Sequence, residues 1–495
     1  MKISRILMFM WSIMLGLVLV SIVMPTDGLT VCGKTLDFPS LASVMGAGEP
    51  EEPLEPEQLL SPEELLEMRM AALQTQKEDE FRQFTQYSPS RIHLPHADET
   101  YLDKFFESLE NAGEKAVRVL HYGDSQLECD RISCTIREHY QEEFGGQGVG
   151  LVPALQTVAT YTTSQTITAD TVYHYLAYGP AGARADHKRY GPMAQVNHVL
   201  PGTTITLSPR STKNYPHSGK VRRITILAKG SGGMTVSCLS QSFHPEETEI
   251  NDNFSRMEVR LPSGANSITI TAHGDYDIYG IQLDDLTGVA VDNIPMRGCS
   301  GTIFTGIDQS TLTPFFQHEN IGLIMLQYGG NSVPNATKES TISSYMTSLR
   351  RQIRLFRKLA PEAAIMFIGP ADMATSIKGE IQTYPGLPQM VDSLRAMSLQ
   401  EGIAFWDMFS AMGGRGSIVK WNTSSPQLAG SDYIHFTTKG AQKMADMLYE
   451  TMNLYYRFYR LRTGKESDAI RRESQPESAD TAGLLNVPGI NTQEQ

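Results

Sequence analysis

The stretch Val117-Arg118-Val119-Leu120-His121-Tyr122-Gly123-Asp124-Ser125-Gln126 changes character halfway along. Val117 to Tyr122 is a short apolar and β-branched run, the composition of a buried strand. Gly123-Asp124-Ser125 then supplies turn residues, and Cys129 to Phe144 reads as a helix. A strand passing through a turn into a helix is the repeating unit of a parallel sheet. In such sheets ligands bind outside the carboxyl ends of the strands, which is where Ser125 stands. The N-terminus of the following helix offers free N–H groups and partial positive charge to a developing oxyanion. A serine hydroxyl is a poor nucleophile by itself and needs an adjacent base. Asp432-Tyr433-Ile434-His435 provides one far downstream. Three-residue spacing lets carboxylate and imidazole face one site if the segment turns. His435 would take the Ser125 proton, and Asp432 would hold the imidazole in one tautomer.

Outward from this stretch the α/β rhythm continues. Helices are expected over 101–112, 340–359, 387–400 and 438–461, and strands over 289–294, 321–327, 364–368 and 403–406. The expected class is α/β, a doubly wound parallel sheet with helices on both faces. From 157 to 285 the texture differs. Short β-prone runs at 203–207, 221–228, 234–238, 257–261, 267–271 and 278–283 alternate with Gly-, Pro-, Ser- and Asn-rich turns, which suggests an inserted all-β sandwich or jelly roll. Gly145 to Gly150, GGQGVG, does not spell a dinucleotide fingerprint and reads as a loop closing a helix.

The N-terminus carries Lys2 and Arg5 before an uncharged, mostly apolar stretch from Ile6 to Met24, the layout of a signal peptide or signal anchor. An uncleaved membrane-anchor helix is the favoured reading, because no A-x-A site follows; either reading exports the rest of the chain, to a periplasmic or cell-envelope location. GAGEPEEPLEPE (46–57) is a linker too rich in Pro and Glu to build a core. Ser61-Pro62-Glu63-Glu64 opens a helix expected to reach Phe84. The expected organisation is therefore an anchor or signal at 1–30, a linker and amphipathic helix at 31–90, the first part of the α/β domain at 91–156, the β insert at 157–287, the second part of the α/β domain at 288–463 and a disordered tail at 464–495.

A net charge of −13 over 495 residues, with no basic run longer than a few residues, speaks against a nucleic-acid partner. The cysteines Cys32, Cys129, Cys134, Cys238 and Cys299 form neither a zinc pattern nor a paired framework, and there is no HExxH, so neither metal nor cofactor is expected. Oligomeric state is not legible.

Two further segments belong with the serine and the histidine. Gly298-Cys299-Ser300-Gly301-Thr302 follows the 289–294 run, and Gly301 lets a backbone N–H approach a substrate oxygen. Gly329-Gly330-Asn331 follows the 321–327 run, and the Asn331 amide can aim at the same oxygen. With GDSQ, CSGT, GGN and DYIHF in this order, the chain resembles the SGNH/GDSL hydrolase superfamily, over roughly 115–155 and 288–460. Within it the sequence looks most like the bacterial peptidoglycan O-acetylesterases, which share a glycine-rich stretch ending in Pro (here Gly145 to Pro153), a β-rich carbohydrate-binding-like insert and a final HFT…G segment (here His435 to Gly440). The resemblance implies Ser125 as nucleophile, Asp432 and His435 as its partners, and an oxyanion hole from the Ser125 N–H, the Gly301 N–H and the Asn331 amide. Ser332 stands where the superfamily usually has an acid. The implied activity is removal of short acyl groups from an envelope glycan. An acyltransferase using the same acyl-serine and a non-catalytic glycan-binding protein are the alternatives. Tyr173, Tyr175, Tyr178 and Tyr190 are candidates for stacking on sugar rings.

Overall fold

Residues 3–23, 29–31, 34–36, 60–156 and 164–475 are described in the computed structural model. Cys32, the 46–57 linker and the chain beyond 475 lie outside the described residues. Contacts divide the chain into residues 1–71 with 474–495, and residues 72–473.

In the first unit Ile3–Val23 is a helix and Leu29–Val31 pairs antiparallel with Lys34–Leu36. Met8, Phe9, Trp11 and Leu15 are exposed. Among the described residues no helix is long and apolar enough to cross a membrane, so the expected anchor is not shown. The Ser61 helix begins as its sequence dictates. The Ser61 N–H donates to Glu64, and the Glu64 N–H donates to Ser61 Oγ, a reciprocal capping box ahead of Pro62–Tyr87.

Within 72–473 the sheet that positions the site has strands β1 (Ile92–His93), β2 (Val117–Gly123), β3 (Val289–Pro295), β4 (Ile321–Gln327), β5 (Ala364–Ile368) and β6 (Ala404–Trp406). Its helices are α1 (Asp103–Glu110), α2 (Ser133–Phe144), α3 (Gln309–His318), α4 (Glu339–Leu359), α5 (Leu387–Gln400) and α6 (Thr438–Arg462). Strand order is β3-β2-β4-β5-β6-β1, parallel except for the β1 edge. Every residue of β2 and β4 is buried, as strands covered on both faces must be. Leu120, Tyr122, Ile324, Leu326, Ile365 and Phe367 share a core with the apolar faces of α3, α4 and α5. Side chains alternate across the sheet, and from the opposite face His121 bonds Ser133 of α2, beside which α6 packs. The chain leaves β2 for β3 on one side and reaches β4 on the other. The end of β2 is therefore the switch point at which a crevice opens.

The insert is a sandwich of two antiparallel sheets around its own core of aliphatic side chains. One sheet runs Glu246–Asn251, Phe254–Ala265, Val221–Gly230, Tyr276–Asp284, Gln195–Val199 and Val172–Leu176; the other runs Gln241–Phe243, Met234–Cys238, Ile268–Ala272, Thr204–Pro209 and Gln165–Ala169. Several of these strands are too polar or too short to announce themselves by alternation.

Three expectations need correction. Gly145 to Gly150 is not simply a loop: Gly148–Val152 is a strand pairing with Tyr276–Asp284, so the sandwich sheet begins inside the segment expected to belong to the hydrolase part. Its glycines allow that crossing, since a Cβ on Gly148 would lie 2.2 Å from the Leu283 carbonyl oxygen. The helix expected from Cys129 starts only at Ser133, because Cys129 and Asp130 adopt φ of +64° and +57°. The tail expected from 464 contains a helix, Ser467–Ser474, with Asp468 in its first turn and Arg471 and Arg472 in its last, favourable ends for the helix dipole.

Arg118 on β2 ties the two domains. Its buried guanidinium meets Asp292 on β3 (Nη1 to Oδ1, 2.7 Å), Glu319 (Nε to Oε2, 2.9 Å) and Asp284 of the sandwich. Arg256 of the sandwich also reaches Glu319. Burial alone would raise the Glu319 carboxyl, but Arg118 and Arg256 hold it down at about 2.

Candidate active site

Ser125 follows the carboxyl end of β2 and opens a 3-10 turn, Ser125–Asp130, that precedes α2. Asp124 caps that turn, its Oδ1 accepting from the Gln126 N–H at 3.0 Å. The Ser125 hydroxyl lies 2.8 Å from His435 Nε2, across 310 residues of chain. His435 Nδ1 lies 2.7 Å from Asp432 Oδ2. Asp432 Oδ1 accepts the Ile434 and His435 N–H groups, both at 3.0 Å. Burial pushes the Asp432 carboxyl up, and the His435 side chain together with these two N–H groups outweighs it and holds the carboxyl below its ordinary value. Tyr433, at φ +55°, makes the bend that turns Asp432 and His435 to one side.

Gln126, next to Ser125, clamps the loop that carries His435 from both sides. Its Nε2 donates to the Ile434 carbonyl at 2.6 Å, and its Oε1 accepts the Phe436 N–H at 3.4 Å. Arg131 adds a bond to the Phe436 carbonyl at 3.1 Å. The Ala374 N–H, at the start of the hairpin Ala374–Ile377/Glu380–Thr383, donates to the Tyr433 carbonyl at 2.9 Å. No sequence signal marked these positioning roles, although Gln126 stood inside the quoted motif.

An open cavity contains Ser125, His435 and Asn331, with walls from Gln327, Tyr328, Pro370 and Met373. The Asn331 amide nitrogen donates to Asp124 Oδ2 at 3.2 Å and to the Cys299 carbonyl at 3.1 Å. Gly301 does not line this cavity. Its turn, at φ +74°, packs on the Tyr328 ring and directs its N–H to Cys299 Sγ at 3.3 Å. Ser332 bridges the two loops, its hydroxyl donating to Ser300 Oγ at 3.1 Å. Asp124 is buried, and that burial pushes its carboxyl up to about 6, against the Gln126 N–H and nearby His435, which pull it down. Of the candidate sugar-stacking residues, Tyr178 and Tyr190 are buried in the core, Tyr175 is partly buried against it, and Tyr173 is exposed.

A parallel sheet presenting serine, imidazole and carboxylate in hydrogen-bonded series at its switch point defines a serine-hydrolase type of site. No protein-family profile matches the sequence, and no curated protein sequence does. Among solved structures, one described as "Peptidoglycan O-acetylesterase in action, 5 min" superposes with a TM-score of 0.60 at 18% identity, over 74% of this chain and 99% of that one. A family two carbohydrate esterase from Cellvibrio japonicus aligns at a TM-score of 0.25 and 10% identity, over 59% of this chain and 98% of that one. A GDSL-like lipase from Parabacteroides merdae aligns at a TM-score of 0.25 and 17% identity, over 34% of this chain and 74% of that one. The chain shares the fold of the first of these structures.

Proposed function

We propose that the protein is a serine esterase that removes O-acetyl or similarly short acyl groups from a cell-envelope glycan, with peptidoglycan the first substrate to test. The Ser125–His435–Asp432 series, aligned inside an open cavity, carries this reading. His435 Nε2 accepts the Ser125 proton as Oγ attacks the acyl carbonyl, and returns it to the departing sugar oxygen. Water deprotonated by the same nitrogen then attacks the acyl-serine and releases the acid. Asp432 stabilises the imidazolium formed in each half. The Ser125 N–H and the Asn331 amide are the oxyanion donors within the cavity. For Asn331 this requires one N–H to turn from Asp124 or the Cys299 carbonyl toward substrate.

The apolar run after Lys2 and Arg5 supports an exported location, reached by a signal or an anchor. The test is acetate release from O-acetylated peptidoglycan and from other acetylated envelope polysaccharides, with the Ser125→Ala protein as control. Hydrolysis yields free acetate. Recovery of acylated acceptor glycan instead would show transfer, and no reaction with any acyl ester would refute the catalytic reading.

A further inference from the structure

The turn that carries Ser125 is tied to the sheet by a buried series of hydrogen bonds separate from the Ser125–His435–Asp432 series. Asn293 on β3 donates its Nδ2 to the Leu127 carbonyl at 3.1 Å. Ser133 Oγ, at the start of α2, lies 2.8 Å from Asn293 Oδ1 and 2.9 Å from His121 Nδ1. His121 Nε2 lies 3.0 Å from the side-chain amide of Gln327, at the end of β4. His121, Leu127, Ser133 and Gln327 are all buried. The series thus joins β2, β3, β4 and α2 to Leu127, which stands close behind Ser125 in the turn, and Gln327 at its other end lines the catalytic cavity. The turn needs such a tie. Cys129 and Asp130 follow at φ +64° and +57°, a region that strains non-glycine residues. Asp124 fixes the near end of the turn through the Gln126 N–H, and Arg137 fixes the far end through Asp130 at 2.7 Å and 3.0 Å. Asn293 holds the middle.

Burial, with Arg137 adding to it, pushes the His121 imidazole down to about 4, so at neutral pH the ring carries a single proton. Protons can then be distributed along the series in one way only. The Leu127 carbonyl can only accept, so Asn293 donates to it and presents Oδ1 to Ser133. That oxygen also only accepts, so it takes the one Ser133 proton. Ser133 Oγ must then accept from His121, which places the imidazole proton on Nδ1 and leaves Nε2 bare. Gln327 must in turn donate to Nε2. The Gln327 amide nitrogen is buried and has no partner among the described residues, and a half-turn of the amide brings it to His121. That half-turn moves the unpaired position from an N–H to an oxygen, the less costly of the two. Every bond then points the same way, from Gln327 to the Leu127 carbonyl, and bonds aligned head to tail polarise one another.

We propose that this directed series, with the His121 proton on Nδ1, positions the nucleophile: by fixing the Leu127 carbonyl it holds the Ser125 hydroxyl in line with His435. The proposal deepens the esterase reading and rests on it. His121, Ser133 and Asn293 are positioning residues that act through the turn. NMR of the full-length wild-type protein, isotope-labelled at the histidine nitrogens, reads the tautomer directly. The His121 signals are assigned by their loss in His121→Asn or, should that variant not fold, by their shift in Ser133→Ala. They should show a proton on Nδ1 and a bare Nε2, unchanged from about pH 5 to pH 8. Asn293→Ala and Ser133→Ala should keep their circular dichroism, lower kcat on an aryl acetate by about 10–100-fold and leave KM within about twofold. A His121 proton on Nε2, titration of the ring within that range, or wild-type kcat in folded Asn293→Ala overturns the proposal. A rise in KM as large as the fall in kcat would mark a general loosening of the cavity and overturns it too. If the wild-type protein cleaves no ester, the esterase reading fails and takes the positioning role with it; if wild type is active and the variants match it, the positioning role alone fails.

Discussion

Asp124→Asn is the perturbation that most directly interrogates the site. Burial raises the Asp124 carboxyl from its ordinary 3.8 to about 6, with Glu128 adding to the effect and the Gln126 N–H and His435 opposing it. At about 1.4 kcal/mol per pH unit, that difference corresponds to about 3 kcal/mol. The sign follows from proton counting. Between about pH 4 and 6 the folded protein keeps a proton that the unfolded chain has released, so stability from this group is complete below 3.8 and is lost as pH rises through about 6. Asparagine is a permanent neutral analogue of the protonated acid. Urea unfolding of wild type and Asp124→Asn at intervals from pH 4 to pH 7 reports on the group, because carboxylates that do not interact with Asp124 cancel in the difference. The variant should gain about 3 kcal/mol on wild type across that range. A pH-independent offset of about 1 kcal/mol against the variant is expected, since its N–H would face the Asn331 N–H in place of an acceptor. That displacement of Asn331 should also lower kcat on an aryl acetate by about 10²-fold. Parallel stability curves from pH 4 to pH 7 would refute the assignment of a buried, proton-holding carboxyl beside the nucleophile.

Ser125→Ala should keep its circular dichroism and thermal midpoint while aryl acetate turnover falls by at least ~10³-fold. Gln126→Ala frees the base loop at Ile434 and Phe436 and should lower kcat by about 10–100-fold with little change in KM, read from steady-state kinetics. Arg118→Ala strands the buried Asp292 without its cation, leaves Glu319 with Arg256 alone and Asp284 with Arg223 alone, and should cost about 3–5 kcal/mol in denaturant unfolding. Gly301→Ala must place a Cβ 2.5 Å from the Tyr328 ring at φ +74°, and should lower the thermal midpoint and kcat together by shifting a wall of the cavity.

The hydrolase sheet was the legible part of the fold. Ile321–Gln327, Ala364–Ile368 and Leu387–Gln400 fall where apolar runs and helical stripes place them, because strands and helices covered by a core must carry that pattern along the chain. The insert was legible only in outline. Glu246–Asn251 is nearly all polar, and Gly148–Val152 hides in a glycine run, since each is selected by the partner strand it meets. Asp124, Gln126 and Arg131 showed no positional signal, because their partners lie on remote segments.

Sequence alone singled out the candidate reacting groups: a serine at a strand end, and an aspartate and a histidine spaced to share a turn. Local chemistry writes those features into adjacent residues. Tertiary structure decided that Ser125 and His435 meet at 2.8 Å and that Gln126 holds the base loop. It also turned the Gly301 N–H toward sulfur and ran a buried series of bonds from His121 to the turn that opens at Ser125. Such relations depend on distances between segments far apart in the chain, which no pattern of neighbouring residues encodes.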